Sequence, residues 1–219
     1  MSDMTPTARR RRAGGARRTQ VLDAVAAVLA RRGHAGTRYA DVSEATGVAV
    51  STLQGYFGSR EDMLIEAFHR ATEVAVAAME ELVARHDDPW RQMVAMVDMG
   101  VGTDVPTWRM LMEFWTAAAH DDELREHAAA MAARYRAPYL DAIARGTASG
   151  RFRPRADPEA VVEATVASIV GLLFPVVLGH LEPHSTPYRD LVLRQLAFAL
   201  GADDAPIPPP PAGDGESER

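Results

Sequence analysis

The segment from residue 37 to residue 64 concentrates side chains that can recognise the edges of nucleobases. It reads TRYADVSEATGVAVSTLQGYFGSREDML. The Gln54 amide can pair with N6 and N7 of adenine, whereas Ser51 and Thr52 can donate to phosphate or touch a thymine methyl group. The alternatives are a solvated Gln54 and a Thr52 that only supports the local turn.

Three further residues of this segment suit a phosphate backbone better than a base. Arg38 and Arg60 each stand at the expected start of a helix, where a guanidinium and free backbone amides can together hold a phosphate. Gly55 has no side chain, so it permits another backbone to approach closely. We therefore expect this segment to contact a nucleic acid through both its bases and its phosphates.

The sequence contains no recognisable catalytic or metal-binding pattern. Its seven histidines include no His-Glu-x-x-His motif, and Pro183 interrupts the one pair at helical spacing, His180 and His184. There is no cysteine, no glycine-rich phosphate loop and no Gly-x-Ser-x-Gly elbow. We therefore expect no enzyme activity, no bound metal, no cofactor and no disulfide scaffold.

Net positive charge is concentrated near the N-terminus. Residues 1–60 contain ten arginines and four acidic residues, whereas the rest of the chain contains 14 arginines and 26 acidic residues. This split favours a phosphate-binding end on an acidic body, although arginine runs also occur as solvated tails. The run from Arg9 to Arg12 precedes Gly14 and Gly15, so it could either enter a minor groove or remain disordered.

Short helices must position these side chains. Apolar spacing predicts an amphipathic helix over 17–33, followed by short helices over 39–46 and 50–57. Gly47 falls between the short helices, where a tight turn needs a positive φ. The residues that we expect to pack this helix-turn-helix together are Val42, Ala45, Val48, Leu53 and Phe57.

The same segment resembles the N-terminal domain of the TetR family of transcriptional regulators. The family's turn, its two residue pairs and its helix start recur here as Gly47-Val48, Thr52-Leu53, Tyr56-Phe57 and Ser59-Arg60-Glu61. The resemblance is sharp over residues 17–70, and beyond them it consists of length and helical pattern. It implies a dimeric DNA-binding regulator in which Tyr56 contacts a phosphate; a packing role for Tyr56 is the alternative.

The chain departs from the family pattern within the third helix. Ala49 and Val50 stand where a serine and a lysine are common, so a helix cap and a phosphate-binding cation are missing. Gln54 replaces a common aromatic residue, and Gly55 replaces a larger one. These differences keep the fold credible but put the operator sequence in doubt.

Helix signals continue along the rest of the chain. Residues 59–62 read as a capping box, and an aspartate or threonine precedes a proline at 88–89, 157–158 and 186–187, which is typical of helix starts. We predict about nine helices in an all-α protein, with a three-helix helix-turn-helix DNA-binding domain and a six-helix ligand-binding and dimerisation domain. The predicted boundaries are a disordered basic arm (1–15), the DNA-binding domain (16–60), the second domain (61–201) and a disordered tail (202–219).

Two late segments are apolar on more than one face. In the TetR family the last two helices form a four-helix dimer interface, and residues 158–180 and 187–200 occupy that place. We therefore expect a homodimer through about residues 158–200. The longest apolar stretch, 164–179, has 16 residues, fewer than the roughly 20 that a membrane helix needs. We expect no membrane span and a cytoplasmic protein.

Large, adaptable side chains gather between residues 90 and 140. As a set they suggest an apolar effector cavity, although each alone is more often part of a core. Residues 108–115 and 120–125 resemble the TetR branch of choline-responsive regulators of betaine synthesis, which implies a cationic ligand held by aromatic faces and Glu113. The expected ligand-binding residues are Met96, Met99, Trp108, Met112, Trp115, Tyr135, Tyr139 and Phe174.

These features predict a ligand-responsive transcriptional regulator, by family default a repressor. We expect it to bind palindromic operator DNA as a homodimer and to be released by a small apolar or cationic effector. Its expected partners are double-stranded operator DNA, a second copy of the chain and a small molecule. A helical module for proteins or membrane surfaces is the main alternative, but it leaves the ordered helix-turn-helix segment unexplained.

Overall fold

A computed structural model describes residues 6–182 and 185–211, with side chains from residue 15 onward. Over these ranges the protein consists of helices and connections without a β-strand, which confirms the predicted all-α class. The helices are α1 (Pro6–Gly36), α2 (Tyr39–Thr46), α3 (Val50–Phe57), α4 (Arg60–Ala84), α5 (Pro89–Val101), α6 (Val105–Ala118), α7 (Asp122–Ala148), α8 (Pro158–Val170), α9 (Leu173–Val177) and α10 (Thr186–Ala199).

The described chain divides into two compact units. The first contains the described residues up to Ala75 together with Pro106–Met131, and the second contains Val76–Val105 and the described residues from Ala132 onward. The long helices α4 and α7 each contribute one end to each unit. Nearly all of α6 belongs to the unit that holds the helix-turn-helix, whereas the sequence assigned α6 to a second domain beginning at residue 61.

The short helices α2 and α3 begin and end where the apolar spacing predicted. Val42, Val48, Leu53 and Phe57 are all buried, as expected for the residues that pack this segment together. The expected packing role of Ala45 is wrong, because Ala45 is exposed and α2 buries Val42 as its one fully covered residue. Among the described residues none covers Ala45, and the apolar spacing of α2 does not specify which neighbour packs on each position.

The two longest helices of the first unit begin differently. α1 begins at Pro6, so the backbone from Pro6 to Gly15 is helical rather than a disordered arm. The side chains of Arg9–Arg12, and the whole of residues 1–5, lie outside the described residues. α4 begins with the predicted capping box: Asp62 N donates to Ser59 Oγ at 3.0 Å, and Ser59 N donates to Asp62 Oδ2 at 3.2 Å.

The second unit packs α5, α8 and α10 against one another. A buried ion pair joins two of these helices, since Arg189 on α10 is 2% exposed and donates from Nε to Asp98 Oδ1 of α5 at 2.5 Å. A buried guanidinium without such partners would be costly, because transfer from water removes its hydration. The pair therefore fixes how α10 lies on α5.

The chain beyond α10 also packs on the second unit. Ala202 and Ala205 are buried, and the indole Nε1 of Trp90 donates to the Pro206 carbonyl oxygen at 2.8 Å. Residues 202–206 therefore pack on this unit, where the sequence predicted a disordered tail. Prolines prevent helix formation here, but their carbonyl oxygens remain available as acceptors. Residues 212–219 lie outside the described residues, as do Pro183 and His184.

The most apolar part of the chain is divided between α8 and α9. The segment Pro158–Val177 is 20 residues long with a mean hydropathy of 2.1, so by length and composition alone it could cross a membrane. The sequence predicted a shorter apolar stretch of 16 residues. Of the 18 most apolar consecutive residues in this segment, 39% are buried within the structure. The helix breaks at Gly171 before α9 begins.

Candidate DNA interface and effector site

Helix α3 separates buried apolar residues from exposed polar ones. Leu53 and Phe57 are 0% and 5% exposed, so they hold the helix on the core of the first unit. The opposite face carries four of the predicted DNA-binding residues, all exposed: Ser51, Thr52, Gln54 and Gly55. The structure therefore places these four together on one accessible surface, as a recognition helix requires.

The turn before α3 fixes the direction in which this surface points. Gly47 adopts φ 66° and ψ 13°, a left-handed conformation that ends α2 and that glycine adopts without strain. Thr46 Oγ1 accepts a hydrogen bond from Val48 N at 3.2 Å and donates one to Val42 O at 2.7 Å. Ala49 has no side-chain acceptor, so α3 starts without a side-chain cap, as the sequence predicted.

Tyr56 shows one of the two roles that the sequence left open. Its ring is half-buried and meets the Phe57 ring edge-on, with centroids 6.0 Å apart and planes at 86°. The aromatic body thus belongs to the core of the first unit, which supports a packing role. Contact of the hydroxyl with phosphate stays a prediction.

Arg38 precedes α2 and has an exposed side chain. Its backbone N donates to Asp41 Oδ2 at 2.8 Å, so Asp41, the third residue of α2, makes the reciprocal bond of a capping box. Arg32 Nη1 donates to Asp41 Oδ1 at 2.5 Å and holds that carboxylate in place. The guanidinium of Arg38 is accessible to a phosphate.

Arg60 differs from the sequence prediction in its surroundings. Its Nε donates to the Thr37 carbonyl oxygen at 2.6 Å, its Nη2 donates to the His34 carbonyl oxygen, and its Nη1 donates to Glu61 Oε1 at 2.6 Å. Three of its five N–H groups are thus engaged inside the first unit. Phosphate contact by Arg60 stays a prediction, and the contacts in the structure add a role in fixing the chain before α2.

The predicted effector-binding residues fall into both compact units. Within the second unit, Tyr139 and Met96 are fully buried, and the Tyr139 hydroxyl donates to the Met96 carbonyl oxygen at 3.1 Å. The rings of Tyr135 and Tyr139 lie 6.2 Å apart. Burial raises the pKa of both phenols above their ordinary value, so both stay neutral at physiological pH. Met99 is half-buried.

Phe174 does not belong to a buried cavity. It lies on α9 and is 63% exposed, and its predicted contact with an effector stays a prediction. The apolar run around Phe174 does not reveal which of its side chains point outward, and Phe174 points to solvent. With Leu178, Leu191 and Phe198 it makes up the exposed apolar group of the second unit.

The remaining predicted effector residues lie on α6 in the first unit. Trp108 is 2% exposed, and its indole N–H has no hydrogen-bond partner among the described residues. Met112 and Trp115 are half-buried, and Trp115 packs against the core that also holds α3 and α4. These three residues follow one another at helical spacing along α6, which is the pattern that sequence analysis detected.

A cleft in the second unit was not predicted from the sequence. It has a volume of about 320 Å³ and lies among α4, α5 and α7. Its charged residues are Glu80, Arg134, Asp141 and Arg145, and none of the predicted effector residues lines it. Arg134, Pro138, Asp141 and Arg145 share one face of α7 at helical spacing, a mixed-charge stripe that could have indicated the site.

Glu113, to which the resemblance gave a ligand-binding role, contacts the protein backbone in this structure. Its Oε2 accepts a hydrogen bond from His34 N at 2.7 Å, within the first unit. A side chain on Gly33 would lie 2.9 Å from the same oxygen. The carboxylate is therefore packed against the backbone at the kink near the end of α1.

Family models match both ends of this architecture. Residues 21–67 match the model described as bacterial regulatory proteins of the tetR family. Residues 91–201 match the model described as the C-terminal part of BetI-type transcriptional repressors. The second match alone covers half of the chain.

Individual proteins show the same likeness. The HTH-type transcriptional regulator BetI of Burkholderia ambifaria is 25% identical over 113 residues, a stretch that covers 50% of this chain and 58% of the relative. A TetR-family transcriptional regulator from Rhodococcus sp. is 23% identical and has a TM-score of 0.73, over 84% of this chain and 98% of that chain.

A transcriptional regulator from Saccharomonospora viridis, solved in complex with choline, is 23% identical and has a TM-score of 0.71, over 81% of this chain and 93% of that chain. The two solved structures show that the fold is shared. The family models show to which family the chain belongs. The chain belongs to the TetR family of bacterial transcriptional regulators, and its C-terminal part is of the BetI type.

Proposed function

We propose that this protein is a cytoplasmic, ligand-responsive transcriptional repressor that binds palindromic operator DNA as a homodimer. The observation that carries the proposal is the accessible polar face of α3, held by a buried apolar face on the same eight-residue helix. A helix anchored in this way can enter a major groove, which is about 12 Å wide, without losing its own packing.

The exposed residues of α3 have different roles in binding DNA. Gln54 presents an amide that reads adenine, and Ser51 and Thr52 donate to phosphate or contact a thymine methyl group. Gly55 lets the helix backbone approach the DNA. Arg38, Tyr56 and Arg60 lie at the neighbouring helix starts and helix end, where they position the protein on phosphates.

The exposed apolar residues of the second unit support the homodimer. Leu178 and Phe198 are 62% and 63% exposed, so most of each apolar side chain is accessible to a second copy. With Phe174 on α9 and Leu191 on α10, they form the exposed apolar group of this unit. The group falls within the predicted interface of residues 158–200, and a twofold interface would cover it in both copies.

We place the effector in the second unit and take choline as the first probe. The reasons are the BetI-type match and the choline complex of the Saccharomonospora viridis regulator. The cleft among α4, α5 and α7 carries Glu80 and Asp141 beside two arginines, so a small cationic or zwitterionic molecule would meet charges of both signs. An effector bound there shifts α4, which runs through both units, and thereby lowers DNA affinity.

Selection of random duplex DNA on the purified protein tests the operator-binding proposal. We expect a palindromic motif whose affinity falls steeply with salt, because each phosphate contact releases counterions. Acidic lipid vesicles are the control for a basic surface without sequence recognition. Tight binding to vesicles with no enriched DNA motif from ligand-free protein would overturn the proposal.

Choline titration tests the effector site separately. We expect choline to lower operator affinity and Asp141→Asn to weaken that response, since the substitution removes a negative charge from the cleft. Glu126→Gln, an equal charge change at an exposed position of α7 in the other unit, is the matched control. An unchanged choline response in Asp141→Asn would argue against this cleft.

A further inference from the structure

The connection into α2 consists of residues 33–38, which include the end of α1 beyond its kink at Gly33, and several contacts hold it in one conformation. Gly33 leaves the helix at φ 73° and ψ 170°, so the amide of His34 does not continue the regular pattern of α1. Thr37 is fully buried, and its Oγ1 donates to the Gly33 carbonyl oxygen at 2.8 Å. The connection leads directly into Arg38, the N-cap of α2.

Two opposite charges hold the His34 backbone from two other helices. Glu113 on α6 accepts from His34 N at 2.7 Å, and Arg60 on α4 donates to the His34 carbonyl oxygen. Arg60 also donates to the Thr37 carbonyl oxygen at 2.6 Å. Hydrogen bonds with one charged partner are stronger than neutral ones, so both helices hold the connection firmly.

The space around Gly33 shows how closely the carboxylate fits. A Cβ added at Gly33 would lie 2.9 Å from Glu113 Oε2 and 3.2 Å from Glu113 Cδ. The positive φ of Gly33 favours glycine, and an added Cβ would displace the Glu113 carboxylate from its present position. Glu113 is half-buried and directed at this backbone rather than at solvent.

We propose that Glu113 is a positioning residue for DNA recognition. By holding the His34 amide from α6, it fixes the connection that sets the start of α2 and therefore the placement of the helix-turn-helix. α6 follows directly from the second unit, since Val105 belongs to that unit and Pro106 to the first. A displacement of α6 is thus passed to the connection through one hydrogen bond. This inference rests on the proposed DNA-binding function.

Two conservative variants separate reach from charge. Glu113→Asp keeps the charge but withdraws the carboxylate by one methylene group, whereas Glu113→Gln loses the charge but keeps an acceptor oxygen at the same length. We expect Glu113→Asp to weaken binding to the selected operator by about tenfold, equal to about 1.4 kcal/mol, and Glu113→Gln to retain most of the affinity. Glu126→Asp and Glu126→Gln make the same changes at an exposed site and serve as controls.

Hydrogen exchange at single amides supplies the second readout and does not require DNA. In the full-length protein, Glu113→Asp should speed exchange of the His34 amide, whereas amides of α5 such as Val94 and Val97 should keep the protection of the unaltered protein. Glu113→Gln should exchange nearly as slowly as the unaltered protein at His34. This pattern reports the local contact, which a general loss of stability would not reproduce.

The outcomes decide the proposal in distinct ways. Faster His34 exchange with unchanged operator affinity in Glu113→Asp would overturn it, as would equal losses in Glu113→Asp and Glu113→Gln or an equal loss in the Glu126 variants. Unchanged His34 exchange in Glu113→Asp would overturn it too. Failure of the unaltered protein to bind any duplex DNA would instead overturn the proposed function, and the exchange result would still show whether Glu113 holds the connection.

Discussion

Gly55 on α3 is a residue whose presence the fold does not explain. Gly55 is exposed, and a Cβ added there would meet nothing within 4 Å of the protein. Glycine in the middle of a helix is destabilising, so no requirement of the fold explains its presence. A close approach of DNA to the backbone would explain it.

Gly55→Ala is therefore expected to move stability and affinity in opposite directions. The free energy of unfolding should rise by about 1 kcal/mol, the difference in helix propensity between the two residues. Operator affinity should fall, because the new methyl group occupies space needed by the DNA. Thermal unfolding and fluorescence anisotropy measure the two quantities. An affinity equal to that of the unaltered protein would mean that the DNA does not approach Gly55.

Gln54 is the residue that we expect to read a base. Gln54→Ala should relax the preference at one base position per half-site, at a cost of about 1 to 3 kcal/mol for the preferred base. Gln20→Ala is the matched control, because Gln20 is an exposed glutamine on α1, outside the recognition helix. A contact of Gln20 with phosphate would carry no sequence information. Repeated DNA selection on each variant measures the preference. A uniform loss at all positions would reassign Gln54 to phosphate contact.

At the scale of helices, a histidine pair joins α4 to α7 within the first unit. His69 Nε2 and His127 Nδ1 lie 3.0 Å apart, and the rings meet edge-on. Burial has the largest effect and lowers the pKa of His69, and the neighbouring His127 ring lowers it further; the carboxylates of Glu73 and Glu66 act in the opposite direction. The neutral form of His69 is the one that the folded protein favours.

This pair predicts an acid-sensitive contact between α4 and α7. Because the pKa of His69 is lower in the folded state than the unfolded value of about 6.5, the unfolded state binds protons first as pH falls. The midpoint of thermal unfolding should therefore stay level above pH 7 and decrease below about pH 6.5. His127→Gln should make the decrease in the unfolding midpoint smaller, since it removes the ring that lowers the pKa of His69.

His120→Gln is the control for the histidine pair, because His120 is an exposed histidine in the same unit. Burial lowers the pKa of His34 as well, but His34 is present in every variant and contributes equally. Identical pH profiles for His127→Gln and His120→Gln would contradict the expected role of the pair.

For the whole molecule, the exposed apolar group of the second unit bears on dimerisation. Phe198 is 63% exposed, and the guanidinium of Arg155 lies over its ring at 4.5 Å from the centroid. In a twofold dimer each such residue is buried twice, and full burial of a large apolar side chain contributes about 1.5 to 3 kcal/mol. The same four side chains would otherwise favour nonspecific association.

Phe198→Asp is expected to yield a folded monomer with weak operator binding. The dissociation constant of the dimer should rise by about 100-fold or more, because the substitution removes apolar contact and adds a charge in both copies. Val74→Asp is the matched control, since Val74 is 47% exposed but lies in the other unit. Analytical ultracentrifugation measures the change. A dimer that persists in Phe198→Asp would move the interface away from α10.

The sequence alone determined the fold class, the bounds of α2 and α3, the capping box at Ser59 and the four exposed residues of α3. These follow from local rules: helix propensity, apolar spacing and caps depend on residues a few positions apart. The family resemblance rests on the same local segment, which is why its expectation about the fold was confirmed.

Tertiary structure decided what local rules do not contain. Ala45 and Phe174 are exposed because burial depends on which helix covers a position, and the apolar character of a residue does not specify that neighbour. Glu113 and Arg60 were assigned to ligand and phosphate, yet both hold the His34 backbone, contacts that join residues 79 and 26 positions apart. Carbonyl and amide groups are present at every position, so no sequence pattern indicates which of them a distant charge will bind.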